Sequence, residues 1–256
     1  MKIICAGLGK TGTKTIAEAL RIIGYNVHDV FEQFHYDKEL WDKILDNTAT
    51  IQDYQRILGN VDAVMDWPAA AVWENIMEAF PDAKVILTVR SSEDEWYESM
   101  KNHFEVTNKF APTNEMVLYL FHLLFAGPLR REFHQLENAF IPPYLGVPRM
   151  FGKPRETFLR SRYRQHNLYV KSICPSQKLL VYNVKDGWKP LCEFLNVEIP
   201  HKPFPIENVR SEIIRKYMNK TWKYDCGLQR KIEKQVIFRL GTLLIIIISI
   251  VFFIFF

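Results

Sequence analysis

The stretch GLGKTGTKT, Gly7 to Thr15, lies between a short apolar run (Lys2 to Leu8) and a segment with apolar residues at helical spacing, Ile16, Leu20 and Ile23, which Gly24 ends. Strand, glycine loop, helix is the context a phosphate-binding loop requires. The usual form of such a loop has two glycines with four residues between, then Lys, then Ser or Thr. Gly7 and Gly12 have that spacing, but Thr13 stands where the lysine belongs, and the lysines are Lys10 and Lys14.

Downstream, continuous apolar runs alternate with helical patterns. Tyr25–Val30, Asp62–Asp66, Lys84–Val89 and Lys178–Val184 read as strands after the first. Ala69–Phe80, Glu93–Phe104, about Thr157–Ser172 and Lys189–Leu195 read as helices. Apolar strands alternating with helices predict a parallel sheet covered on both faces, a three-layer α/β/α fold. The pattern is lost from residue 105 to 154, where the apolar segment Met116–Phe125 and the loop IPPYLGVPRMFGKP (Ile141–Pro154) read as an insertion or lid. The boundaries expected are a globular domain over 1–208, a basic helix or linker over 209–235 and a hydrophobic anchor over 236–256.

A backbone nest at a helix N-terminus binds phosphate through N–H groups and the helix dipole, whatever its side chains. Gly9, Lys10, Thr11, Gly12, Thr13, Lys14 and Thr15 supply such amides. Lys10 would reach the oxygen bridging to a transferred group, and the hydroxyls of Thr13 and Thr15 would hold the phosphate. Asp66 ends a parallel strand at its carboxyl end, where ligands of α/β sheets bind. It fits a metal-binding aspartate, a proton acceptor or an N-cap for the helix after Pro68.

The loop resembles the 5′-phosphosulfate loop of P-loop-type sulfotransferases. DAKVILTVRSSEDEWYESM (Asp82–Met100) and KLLVYNVKDGWKPLCEFLNVEIPHKPFP (Lys178–Pro205) are similar to the short branch of that family that includes flatworm enzymes. The resemblance covers most of residues 1–208. It implies 3′-phosphoadenosine 5′-phosphosulfate (PAPS) as co-substrate, no metal ion and a hydroxyl acceptor. It implies Arg90 and Ser99 as the grip on the PAPS 3′-phosphate, although nine positions separate them where eight is usual. It also implies Asp66 as the base. In DGWKPL, Asp186 is expected to cap the following helix and Trp188 to pack it, and Asn208 to approach the nucleotide. Tyr163, His166 and Asn167 share one helix and are candidates for the acceptor pocket.

The net charge of +4 argues against a general nucleic-acid binder. Four scattered cysteines and seven histidines form no metal-ligand spacing, and the thiols read as buried and reduced. The last residues, LGTLLIIIISIVFFIFF (Leu240–Phe256), carry no charge. As a helix they span about 25 Å, and adding Val236–Phe238 with Arg239 snorkelling reaches the thickness of a bilayer core. Arg230, Lys231, Lys234 and Arg239 precede the run, so the expected topology is tail-anchored, with the globular part facing the cytosol. The acceptor is then expected to be small or lipid-like. Two other readings stand beside a tethered sulfotransferase: a kinase or NTPase using Mg-ATP, and a non-catalytic tethered nucleotide-binding module.

Overall fold

The computed structural model describes residues 1–109, 127–146, 154–207, 211–219, 221–224 and 226–255. The five expected strands are present: β1 (Ile3–Cys5), β2 (Val27–His28), β3 (Ala63–Met65), β4 (Lys84–Thr88) and β5 (Leu179–Tyr182). They form one parallel sheet in the order β2-β3-β1-β4-β5. β1 is central, with Ile4 opposite Val64 of β3 on one side and Val85 of β4 on the other. Its two neighbours are reached by crossovers in opposite directions, so the crevice at its carboxyl end is the topological switch point of the sheet.

Alternation along the buried strands sorts the core into two layers. Ile4, Val64, Val85 and Leu87 face one side and pack with Leu40, Trp41, Leu58, Trp73 and Ile76. Ile3, Cys5, Met65 and Ile86 face the other and pack with Ile16 and Leu20 of α1 (Thr13–Ile22) and with Trp188 and Leu191. A third apolar group gathers at the loop end of the sheet: Leu8, Trp96, Met100, Phe104, Tyr144, Leu159 and Tyr163. The architecture is three-layer α/β/α.

Several expected elements are redrawn. β2 stops at His28, because the Asp29 carboxylate takes the Val30 N–H and forms a capping box with Glu32, starting α2 (Val30–Tyr36). Two further helices that strand-helix alternation did not place, α3 (Lys38–Leu45) and α4 (Ile51–Leu58), follow it before β3. The helix expected over Ala69–Phe80 is split into a 3-10 turn, Ala69–Ala71, and α5 (Trp73–Ala79). α6 (Glu93–Asn108) runs one turn further than expected, with Ser92 as its N-cap. The stretch Ile141–Leu145, read as loop, is the last turn of a helix, Pro128–Leu145, despite Pro142 and Pro143. Burial of Phe133, Leu136, Phe140, Ile141 and Tyr144 outweighs the lost backbone donors, and Gly146 in the left-handed region ends the helix. Met116–Phe125 lies outside the described residues.

At the C-terminal end one helix, Leu228–Phe255, carries both the basic residues Arg230, Lys231 and Lys234 and the apolar run. It is long and apolar enough to cross a membrane, with mean hydropathy 2.7 in its most apolar stretch, which is not buried against the rest of the chain. Its first turns are docked: Leu228 and Ile232 join the first core layer, and Gln235 Oε1 accepts the Leu129 N–H at 3.2 Å.

Candidate active site

The glycine loop joins β1 to α1, and its carbonyls are turned outward one after another. His166 Nε2 donates to Ala6 O (2.6 Å), Tyr144 OH to Gly7 O (3.0 Å) and Thr11 Oγ1 to Leu8 O (2.6 Å). Trp96 Nε1 donates to Gly9 O (3.0 Å) and Arg90 Nε to Lys10 O (2.7 Å). Five consecutive carbonyls, those of Ala6 to Lys10, are thus each held by a side-chain donor. The Gly9 N–H is turned to the Tyr144 hydroxyl, and those of Lys10, Gly12 and Thr13 have no partner among the described residues. Lys10 (φ 71°) and Gly12 (φ 105°) adopt left-handed backbone, which curls such amides into an anion-binding concavity.

The two spaced glycines are sterically required. A Cβ on Gly7 would lie 2.0 Å from Thr88 Oγ1 and 2.8 Å from the Thr88 backbone, and one on Gly12 would lie 2.4 Å from Val184 Cγ1. Gly7→Ala is therefore expected to lower stability by about 1–3 kcal/mol, since backbone cannot rotate away as a side chain can. A thermal midpoint equal to wild type would contradict this packing.

Asp66 follows β3 in left-handed backbone (φ 60°), which Asp tolerates better than most residues. Its Oδ2 accepts the Thr13 hydroxyl at 2.9 Å and lies 3.4 Å from Lys14 Nζ. Its Oδ1 accepts the Trp67 N–H at 2.9 Å and faces Tyr144 OH at 3.5 Å. The carboxylate caps no helix, so the N-cap role expected as one alternative is not what the residue does. Lys14 donates to Asp29 Oδ1 at 2.5 Å. Burial opposes its charge, yet Asp29 and Asp66 together carry its pKa above the ordinary lysine value, so Lys14 is a fixed cation of the carboxylate pair.

Lys10 differs. Its ammonium donates to Ser211 Oγ at 2.9 Å, and its pKa is lowered to about 8, first by burial and then by repulsion from Arg90, with Asp66 opposing. Arg90 follows the end of β4. Besides holding the Lys10 carbonyl, its Nη1 lies 3.4 Å from Glu95 Oε1, and its backbone N–H donates to Tyr163 OH. Ser99 is half-buried on α6, and Ser91 and Ser92 precede that helix.

The hydroxyls divide their work. Thr11 bonds Thr88 Oγ1 at 2.6 Å as well as Leu8 O, Thr13 serves Asp66, and Thr15 Oγ1 accepts the Glu207 N–H at 3.1 Å. Tyr163 stacks on Trp96 at 4.6 Å, and His166, whose pKa burial lowers to about 4, is a neutral donor to the loop. His166 thus acts on the loop's backbone directly, and Tyr163 supports Arg90 and Trp96, which hold it. Asp186 accepts the Asn183 N–H and closes the preceding 3-10 turn, while the following helix, Trp188–Leu195, has Gly187 as its N-cap. This corrects the expected capping role; Trp188 does pack, against Phe204 at 4.9 Å. Asn208 lies outside the described residues.

Asp29, Trp96, Tyr144 and Ser211 were not singled out from sequence. For Asp29 a signal existed, the DVFE spacing of a capping box. For the others the contacts join distant parts of the chain, and no local pattern marks them. The assembled groups suit an anionic ligand: a curled row of amides, the Lys10 ammonium beside Ser211, and the Arg90 guanidinium alongside. An added Cβ on Gly9 would meet nothing nearer than Asp66 Oδ1 at 3.8 Å, so the concavity opens toward that carboxylate.

The family model for the sulfotransferase domain matches residues 2–213, a span that contains every residue of this site. The chain is similar to Ava biosynthesis cluster protein M of Aspergillus versicolor, 28% identical over 236 residues covering 87% of this chain and 86% of that protein. It is also similar to the crystal structure of a sulfotransferase from Alicyclobacillus acidocaldarius, at 15% identity and a TM-score of 0.40, covering 90% of this chain and 95% of that one. With most of its length matched by that model, this chain belongs to the sulfotransferase domain family and is a transferase enzyme.

Proposed function

We propose that the enzyme uses PAPS and transfers its sulfuryl group to a hydroxyl of a small or lipophilic acceptor. The observation that carries this reading is the loop with its carbonyls held outward and its amides unpaired beside Lys10. The amides from Gly9 to Thr15 would hold the 5′-phosphosulfate, and Arg90 and Ser99 the 3′-phosphate, which a guanidinium and a hydroxyl suit. PAPS supplies an electrophilic sulfur on a good leaving phosphate. Lys10 neutralises charge gathering on the leaving oxygen, and Asp66 accepts the acceptor's hydroxyl proton. A thermal-shift titration tests the reading: adenosine 3′,5′-bisphosphate is expected to stabilise the protein without added metal. Stabilisation by ATP with Mg²⁺ alone would overturn it.

The ionisation of Lys10 adds a pH prediction. Its proton is held less tightly than in the unfolded chain, so its burial costs stability below about pH 8, a cost relieved as pH rises toward the ordinary lysine value. A bound anion restores the charge. Affinity for the bisphosphate is therefore expected to be flat below about pH 8 and to fall above it, by up to about tenfold per pH unit. Titration calorimetry from pH 6.5 to 9.5 checks this, and an unchanged affinity at pH 9.5 would contradict it.

We further propose that the Leu228–Phe255 helix tethers the enzyme to a membrane with the catalytic domain in the cytosol. Arg230, Lys231 and Lys234 on its first turns support this orientation, each basic charge near an anionic surface contributing about 1 kcal/mol. Asn219-Lys220-Thr221 is a glycosylation sequon ahead of that helix. In this topology it stays bare. An endoglycosidase-sensitive mass in a cellular membrane fraction, abolished by Asn219→Gln, would place the domain in the lumen instead.

A further inference from the structure

α6 forms one wall of the site. Trp96 on it holds the loop, and beyond Ser99 the next turn brings Asn102 and His103. Asn102 Nδ2 donates at 3.3 Å to Ser211 Oγ, the hydroxyl that also accepts the Lys10 ammonium. His103, the adjacent residue, feels the charges of Lys10 and Lys14 from the loop and α1 and of Asp66 from the end of β3. The His103 Nδ1 is buried and has no hydrogen-bond partner among the described residues. An unpaired buried nitrogen is costly to keep, and a ligand atom is a natural partner for it. The ring is also neutral: burial first, then Lys10 and Lys14, push its pKa down to about 3, against Asp66. A ring of that kind offers one N–H and does not carry a proton away.

We propose that His103 touches the transferring group, its Nδ1–H donating a hydrogen bond to a sulfuryl oxygen of the bound donor. This rests on the proposed use of PAPS. In the transfer, the acceptor oxygen bonds to sulfur, its proton passes to Asp66, and the sulfur–oxygen bond to the phosphate breaks with its electron pair on the oxygen beside Lys10. His103 keeps its proton throughout, so a base is still needed and Asp66 remains that base.

PAPS and adenosine 3′,5′-bisphosphate differ by the sulfuryl group, so the contact can be read by binding alone, without an acceptor. In His103→Phe, PAPS affinity is expected to fall about tenfold or more while bisphosphate affinity stays within about twofold of wild type. His103→Asn, whose side-chain amide puts an N–H near the position of Nδ1, should recover most of the loss. Bisphosphate binding reports that both variants are folded. Equal loss of both nucleotides would mean a structural role, and wild-type PAPS affinity in the Phe variant would mean no contact; either overturns the proposal. So would His103→Asn behaving like His103→Phe. A wild-type protein that binds neither nucleotide would remove the donor reading itself, and this contact with it.

Discussion

In Lys10→Ala, sulfuryl transfer is expected to fall by about 10²-fold or more, with a smaller loss of bisphosphate affinity. The difference arises because the lysine's charge matters most where the leaving oxygen gains charge, whereas the amides that hold the ground-state nucleotide stay in place. The loop should keep its shape, since the Lys10 carbonyl rather than its side chain is what Arg90 holds. Alanine meets the same strain at φ 71° as lysine does, so the backbone gives no separate reason for change. Initial rates with labelled PAPS measure the effect, and Lys10→Arg, which keeps a cation, serves as the companion variant. Transfer at wild-type rates in Lys10→Ala would remove Lys10 from the mechanism.

The second large effect belongs to Asp66. A general base typically contributes 10²–10⁴-fold, so Asp66→Asn is expected to lower transfer by about that factor while bisphosphate binding stays near normal. Asparagine can still accept the Thr13 hydroxyl, and Lys14 keeps its bond to Asp29, so the surroundings of the site survive the change. The contact between Thr13 and Asp66 is also an arrangement that could share a metal ion, and the two roles separate cleanly. An active wild type in EDTA beside an inactive Asp66→Asn variant identifies a base. A wild type silenced by EDTA to the same degree identifies a metal ligand and overturns the assignment.

How far the sequence discloses this site depends on the distance each contact spans. The sheet was legible because a strand buried on both faces must be largely apolar, as Val85, Ile86 and Leu87 of β4 are, and because the glycine spacing is local. The helices α3 and α4 were not, since nothing in strand-helix alternation requires extra helices between β2 and β3. Pro142 and Pro143 misdirected the reading of their segment: proline's cost is local, whereas the burial that pays for it comes from the whole Pro128–Leu145 face. The braces of the loop were hidden for a similar reason. Tyr144 reaches Gly7 across 137 positions, His166 reaches Ala6 across 160, and Lys10 meets Ser211 across 201. Lys14 shows the same limit: nothing local in the motif marks Asp29 as the partner of its ammonium.

The outward-held carbonyls tie nucleotide affinity to the integrity of the entire domain. Arg90, Trp96, Tyr144 and His166 come from four separate elements, so the loop has its anion-ready curl only when all four are docked; a chain with one of them loose has no site to offer. Ligand binding then counts wholly toward the native state. By mass action, a nucleotide at a hundred times its dissociation constant adds about 2.7 kcal/mol to the free energy of unfolding. Under the proposed use of PAPS, the molecule consumed in each turnover would also hold the enzyme folded, and starving a cell of donor would shorten the enzyme's lifetime as well as stop its reaction.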